Sequence, residues 1–317
     1  MRKATRLDAV EKAFLFRQLE AIDDESYKTE YPELMARDYI PSQPNIPDWA
    51  RIYTWSMTDR TGQAKFINSA PSDIPNVEVQ RSEGSKFIKT AAAEFKYEID
   101  EIKAARATNT PLDQDRADAC QEAVLTKVDT ALALGDTPNN LEGLLTQSGA
   151  ATYTWGNKAS TGTAPWVDSN NKLVATPDEI LADVTGMVTA RLTDLRQAGG
   201  PVFQRFTLLL PVAAHAAIAG TRTGDGSNEF ILNLLLRNRY IDAIEPWYHC
   251  DDAGTNGRSC LYVRDRRVVA GIVNQEYMTM EPERKGLCYE VIGTAKTGGV
   301  VVRHTKAIAY ADNTLPS

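Results

Sequence analysis

The sequence predicts an α+β protein in which extended segments near both ends enclose two long, one-sided helices. Three observations carry that expectation. Alternating and β-branched segments gather between residues 51 and 100, and again from residue 241 onward. Two helices with strong start signals open at Thr110-Pro111 and Thr176-Pro177. No internal repeat is visible along the 317 residues, which excludes a solenoid or propeller.

A chain of this length buries enough surface for one large domain or two modest ones. Hydrophobic residues at 43% and charged residues at 24% are ordinary for a globular protein. The net charge of -7 argues against tight, general binding of nucleic acid, which needs basic patches to displace counterions. Any contact with DNA is expected to be loose. Met1-Arg2-Lys3-Ala4 leads into charged residues with no apolar stretch of signal length, so export is not expected. The longest apolar run, Phe206 to Ala219, is broken by Thr207, Pro211 and His215 and is shorter than the ~20 residues of a membrane helix. Cys120, Cys250, Cys260 and Cys288 have no framework spacing and are expected to be reduced thiols.

The elements follow in order. Leu7, Val10, Ala13, Phe14 and Leu19 recur near helical spacing, and Pro32 closes any helix there. Pro32, Pro41, Pro44 and Pro47 turn the next stretch into an arm. Tyr27, Tyr31, Leu34, Tyr39, Ile40, Ile46 and Trp49 make it apolar, so it needs a covering surface, either its own domain or a neighbouring molecule. Ile52 to Met57, a turn at Asp59-Arg60-Thr61-Gly62 and Ala64 to Ile67 read as a hairpin, with another extended piece at Val77-Glu78-Val79. Phe95, Tyr97 and Ile99 alternate with Lys96, Glu98 and Asp100 as in a half-buried strand.

Thr110 as N-cap, Pro111 at the first helical position and Asp113 and Asp115 in the first turn start a long helix. Ala117, Cys120, Val124, Val128 and Ala131 mark its apolar face, and Gly135 ends it. Thr176-Pro177-Asp178-Glu179 is a capping box for a second helix, faced by Ile180, Val184, Met187, Val188, Leu192 and Leu195 and stopped at Gly199-Gly200-Pro201. Phe206 to Leu210 reads as a buried strand, and Val212 to Ala219 and Glu229 to Arg239 as helices. Strands are expected at Ile241 to Trp247, Leu261 to Val263, Arg267 to Ile272, Cys288 to Ile292 and Val300 to Tyr310, with a hairpin turn at Thr294 to Gly299.

Chemistry has few anchors. His215 sits in an Ala-rich segment and reads as a structural histidine. His249, Cys250, Asp251, Asp252 and Cys260 form the best metal-like group, yet without Cys-x-x-Cys spacing, and a loop flanking two strands accounts for them better. Asp113, Asp115 and Asp118 lack the glycine and terminal glutamate of a calcium loop. No nucleophile elbow, phosphate-cradling loop or dinucleotide fingerprint occurs. No metal, cofactor or catalytic residue is assigned. Arg264, Arg266 and Arg267, beside Asp265, read as solvated charge or as partners in salt bridges between subunits.

The order arm, extended hairpin, strand, long helix, helical and sheet insertion, closing strands resembles the major capsid proteins of tailed bacteriophages with the Hong Kong 97-type fold. Asp113 to Gly135, followed by Asn140-Leu141-Glu142-Gly143-Leu144-Leu145, is similar to the family's spine helix and the turn after it. Gly286 to Val291, Thr297 to Val302 and Ala307 to Asp312 resemble the closing strands of one subfamily, from which His304-Thr305 departs where a proline is expected.

The resemblance implies five segments: an N-terminal arm over 1–50, an extended loop over 51–90, a peripheral domain over 91–146 and 261–317, and an axial domain over 147–260. It implies a non-enzymatic virion protein that assembles in the host bacterial cytoplasm, as hexamers and pentamers of itself, into an icosahedral shell around double-stranded DNA. It also implies a portal, a separate scaffolding protein, since no charged coiled-coil extension begins the chain, and a decoration protein; no membrane is involved. Trp55, Phe66, Ile67, Arg264, Arg266 and Arg267 are the expected subunit-interface residues. Two other readings compete: an encapsulin-like bacterial compartment, which a neighbouring cargo gene would favour over a portal or terminase gene, and a metal-dependent hydrolase using His249, Asp251, Asp252 and Cys260, which metal analysis would detect.

Overall fold

The computed structural model describes residues 33–61, 77–108, 115–197, 205–224 and 228–316. The chain divides into two units, Met1–Glu33 and Leu34–Ser317, and the second carries every element assigned below. The helix expected over Leu7–Leu19, Phe66 and Ile67, the Thr110-Pro111 start and the Gly199-Gly200-Pro201 stop lie outside the described residues.

The arm packs on its own chain where it is apolar at short spacing. A single helical turn, α1 (Ala36–Tyr39), buries Ala36 and Tyr39, and Ile40 follows them inward. The Tyr39 hydroxyl donates to the Pro246 carbonyl at 2.8 Å, and Tyr262 donates back to the Tyr39 carbonyl at 2.6 Å. Beyond Pro41 the arm lies along a strand edge, with Gln43 N–H donating to the Gly271 carbonyl and Gly271 N–H to that of Pro41.

β1 (Ile52–Thr61) pairs antiparallel with β2 (Glu78–Phe87), from Ile52 opposite Phe87 to Thr61 opposite Glu78. This corrects the expected hairpin: Asp59-Arg60-Thr61 continue the strand, and the return arm is 78–87 rather than 64–67. A two-residue hairpin turn needs residues that accept positive φ at its centre, and here the only glycine comes last. β3 (Lys89–Glu98) shows the expected alternation, with Phe95 and Tyr97 half-buried and Lys96 and Glu98 exposed. An unanticipated helix, α2 (Ile99–Thr108), follows and buries no residue.

The long helix is α3 (Asp115–Ala133), which buries Cys120, Val124, Val128, Ala131 and Leu132 at steps of three and four. Gly135 ends it at φ +78°, where a Cβ would stand 2.4 Å from the Leu141 carbonyl oxygen. β4 (Gly135–Asp136) and β5 (Leu141–Glu142) make a short ladder there, and β6 (Ala151–Tyr153) follows. α4 (Pro177–Gln197) begins at the expected capping box: Glu179 Oε2 accepts the Thr176 N–H at 2.7 Å, and Thr176 Oγ1 accepts the Glu179 N–H at 3.4 Å. β7 (Phe206–Leu210) is buried at every residue, and α5 (Val212–Gly220) follows. α6 (Ile231–Leu236) is shorter than the expected 229–239. β8 (Ile241–Pro246), the short α7 (His249–Asp252) and β9 (Ser259–Tyr262) complete this part.

Two sheets organise the unit. The first has the order β6-β13-β9-β7-β8, where β13 (Ala309–Ala311) runs parallel to β6 and antiparallel to β9. The second is built on β12 (Cys288–Val302), flanked on one side by β3 and on the other by β10 (Val269–Thr279) and β11 (Glu283–Lys285). Two expectations change with these sheets. Thr294 to Gly299 is no turn but the middle of β12. Ile272 pairs with Gly299 and Val273 with Thr297, so Gly298 is the extra residue of a bulge and the glycines bend a continuous strand. The closing segment 261–317 also does not stay with one sheet, because β13 crosses into the sheet formed by residues 151–262.

Candidate assembly surface

The β1–β2 ribbon carries apolar side chains in two different ways. Near its base the Trp55 indole lies across Gly84, where a Cβ would come within 2.4 Å of it, and stacks on Tyr53 with ring centres 6.0 Å apart. With Ile46, Ala50 and Tyr53 it packs against the small buried group Ile88, Ile272 and Val301. Trp55, expected at an interface, is therefore partly absorbed by its own chain, although its buried indole N–H has no acceptor among the described residues. Ile52 and Phe87, directly opposite in register, are each 53% exposed, and Val77 and Val79 are exposed further along. Phe66 and Ile67 lie outside the described residues.

Charged groups tether the ribbon. Arg303 donates to the Tyr53 hydroxyl at 3.0 Å and to Gln43 Oε1 at 3.1 Å, and Lys86 pairs with Glu142. Burial pushes the Glu142 carboxyl up, but the hydrogen bonds from Lys86 and Ser148 outweigh it and hold the group below the usual carboxylate range.

Arg264, Arg266 and Arg267 occupy the turn between β9 and β10, all of them partly or fully open to solvent. Arg264 donates to the Asp38 carbonyl, and Arg267 pairs loosely with Asp265 at 3.6 Å. The Arg266 carbonyl accepts from Arg303, and its guanidinium has no partner among the described residues. The turn presents positive charge that its own chain only partly neutralises.

The metal-like group separates into unrelated tasks. His249 Nε2 lies 3.0 Å from Asp129 Oδ2, both residues buried; the same carboxylate accepts the Tyr248 hydroxyl at 3.2 Å and the Ala36 N–H at 2.9 Å. Asp129 thus joins the arm, the long helix and α7. Asp251 Oδ1 accepts the Val212 N–H at the start of α5. Burial raises the Cys250 and Cys260 thiols, so neither is a thiolate at neutral pH. Among the described residues no group of three or more His, Cys, Asp and Glu is arranged to hold a metal ion. His215 is half-buried in α5, with its pKa lowered chiefly by burial. No helix among the described residues is long and apolar enough to cross a membrane.

What this leaves is a pair of sheets, a two-stranded ribbon with the exposed Ile52–Phe87 pair, and a basic turn. Residues 62–314 match the family model described as "Major capsid protein". The chain belongs to the major capsid protein family. As a family member it is a structural subunit of a virion shell. Its fold is similar to the capsid of Myoviridae phage XM1, with 17% identity, a TM-score of 0.75 and coverage of 98% of this chain and 99% of that one. The chain of Mycobacterium phage Bobi aligns at 14% identity and TM-score 0.64 over 97% and 98% of the two chains. A virus-like particle from Pyrococcus furiosus aligns at 16% identity and TM-score 0.52 over 87% and 91%. At these identities the likeness concerns the Hong Kong 97-type fold. No curated protein matches the sequence.

Sequence reasoning missed the residues that anchor the ribbon. Arg303, Lys86 and Glu142 look like ordinary surface charge in sequence, and only the pairing of distant strands brings them to the ribbon base.

Proposed function

We propose that this major capsid protein assembles as hexamers and pentamers into a closed icosahedral shell around phage double-stranded DNA, with a portal, a separate scaffolding protein and a decoration protein as its partners. The observation that carries this reading is the match to the major capsid protein family over residues 62–314. Identical subunits joined by heterologous contacts must close on themselves to avoid open polymers. A two-stranded ribbon with exposed Ile52 and Phe87 suits that need, because an isolated two-stranded ribbon is marginal in water and gains stability from a neighbour.

In this reading residues 1–50 are the arm, 51–90 the extended loop that lies over an adjacent subunit, 91–146 with most of 261–317 the peripheral domain, and 147–260 the axial domain. The pairing of β13 with β6 and β9 supports counting 309–311 with the axial sheet. Trp55, Phe66, Ile67, Arg264, Arg266 and Arg267 are the proposed contact residues. The net charge of -7 suits a wall that holds DNA loosely.

Electron microscopy of the expressed protein, alone and with the scaffolding gene of the same cluster, is the test. Closed particles built of hexamers and pentamers are expected. Stable monomers or dimers under every condition would sink the proposal. The likeness to the Pyrococcus furiosus particle favours a second reading, a protein-storing compartment, and shells that capture a cargo enzyme in place of DNA would establish it.

A further inference from the structure

Lys158 is the one lysine among the described residues that the fold takes wholly out of water, at 1% exposed. It lies in the loop between β6 and α4, where its Nζ donates to the Gly156 carbonyl at 2.7 Å and to Asp183 Oδ2. Asp183, also buried, comes from the second turn of α4. Its Oδ1 accepts the Gly156 N–H at 3.0 Å, and its Oδ2 accepts the Trp166 Nε1–H at 3.1 Å. The Trp155 and Trp166 rings, both buried and with centres 5.0 Å apart, bring an apolar wall to the pair. Taking both charges out of water is expensive, so a buried pair of this kind is weak evidence that stability is its whole purpose.

The same groups are those that an amide condensation needs. A desolvated lysine amine is a nucleophile, and the Asp183 carboxyl carbon lies one bond beyond the oxygen that Nζ already touches. The Gly156 N–H faces Oδ1, where negative charge collects as that carbon becomes tetrahedral, and the Trp166 N–H faces Oδ2, the oxygen that departs. A proton relay stands beside them. Glu179 is one helical turn before Asp183 on the same face of α4, and its Oε1 accepts the N–H of Ala159, next to Lys158, at 2.7 Å. Hydrogen bonds from the Ala159 and Thr176 N–H groups hold its carboxyl below the usual carboxylate range, so it is ionised and open to a proton at neutral pH.

We propose that Lys158 Nζ and Asp183 Cγ condense within each subunit to an amide, a covalent staple between the loop after β6 and α4. One proton passes from the Lys158 ammonium to the Asp183 carboxylate, leaving an amine and an acid. Nζ then attacks Cγ, and a second Nζ proton moves through Glu179 to Oδ2. The Cγ–Oδ2 bond breaks, Oδ2 leaves as water, and the new Nζ–Cγ bond remains. No oxidant is consumed, so the staple forms in the same reducing surroundings as the free cysteines of this chain. It belongs to the single subunit and does not depend on the shell reading.

Mass spectrometry of the denatured full-length chain is the test. The parent is expected to be lighter than its sequence by one water. Trypsin does not cut after an acylated lysine, so digestion should release a branched peptide joining the Lys158 and Asp183 segments. Lys158→Arg, which keeps the charge and cannot condense in this way, should restore the sequence mass. Glu179→Gln, which preserves a hydrogen-bonding side chain at the start of α4, should slow the loss of water by roughly 100-fold in pulse-labelled chain. The branch is expected in unassembled subunits as well as in particles, whether or not shells close. A parent chain that keeps its full sequence mass on ageing, or a loss of water without the branched peptide, would overturn the proposal. A denatured product with the mass of two chains would make the link one between copies and would overturn it equally. An unchanged rate in Glu179→Gln would overturn the relay step.

Discussion

Asp129 shows how one buried carboxylate organises three segments distant in sequence. It accepts from Ala36 and Tyr248 and meets His249, so its charge is compensated where water does not reach. His249→Ala removes one of those partners and is expected to cost about 1–3 kcal/mol, read as a lower urea midpoint. Cys260→Ala, which deletes one buried sulfur of a raised-pKa thiol, should cost only about 1 kcal/mol. Neither variant should release a bound metal, and a stoichiometric zinc lost from the parent on substitution would contradict this account. In the sequence His249 stood only within a metal-like group better explained as a loop flanking two strands, and its partner 120 positions away was not legible.

Among the elements, the ribbon is held at its base by Arg303, by the Lys86–Glu142 pair and by the packing of Trp55. Gly84→Ala would drive a methyl group into the Trp55 indole and is expected to destabilise the ribbon by about 1–3 kcal/mol, seen as faster hydrogen exchange over 52–57. The Lys86–Glu142 tether adds a pH dependence. The Glu142 pKa is depressed in the fold, so its contribution is present above the ordinary value of 4.5 and is lost as pH falls through the lower folded value. Exchange over 82–87 should therefore quicken on acidification through that window, and Glu142→Gln should abolish the dependence; an unchanged pH profile in the variant would disprove the tether. Since Trp55 packs on Gly84, Trp55→Ala will also weaken the subunit, so its effect on assembly has to be read beside subunit unfolding.

For the whole molecule, the relevant quantity is the difference between a subunit's own stability and its ability to join others. Arg266→Glu with Arg267→Glu alters solvent-facing side chains, so thermal unfolding of the subunit should stay within about 0.5 kcal/mol of the parent. Particle yield should drop at low salt, with a smaller difference at high salt as charges are screened. Equal yields at both salt concentrations would remove the basic turn from the interface. Exposed ion pairs contribute little singly, but a closed shell repeats the same contact at every subunit.

Helices and buried strands were legible in the sequence because their signals are local. The Thr176–Glu179 capping box, the three-and-four spacing of Cys120 to Ala131 and the largely apolar Phe206–Leu210 run each state their structure within a few residues. Strand partners were not legible in that way. Whether β1 returns at 64 or at 78, whether Gly298-Gly299 turn a chain or bulge it, and which sheet receives Ala309–Ala311 all depend on backbone hydrogen bonds to residues far away in sequence. Trp49 and Trp55 make the same point within one short stretch: both are aromatic residues near extended chain, and only the sheet beneath them decides that Trp55 lies across Gly84 while Trp49 faces water. Residue type determined that each needs a covering surface; the tertiary structure decided which of them finds it within its own chain, because burial is set by what the fold brings alongside.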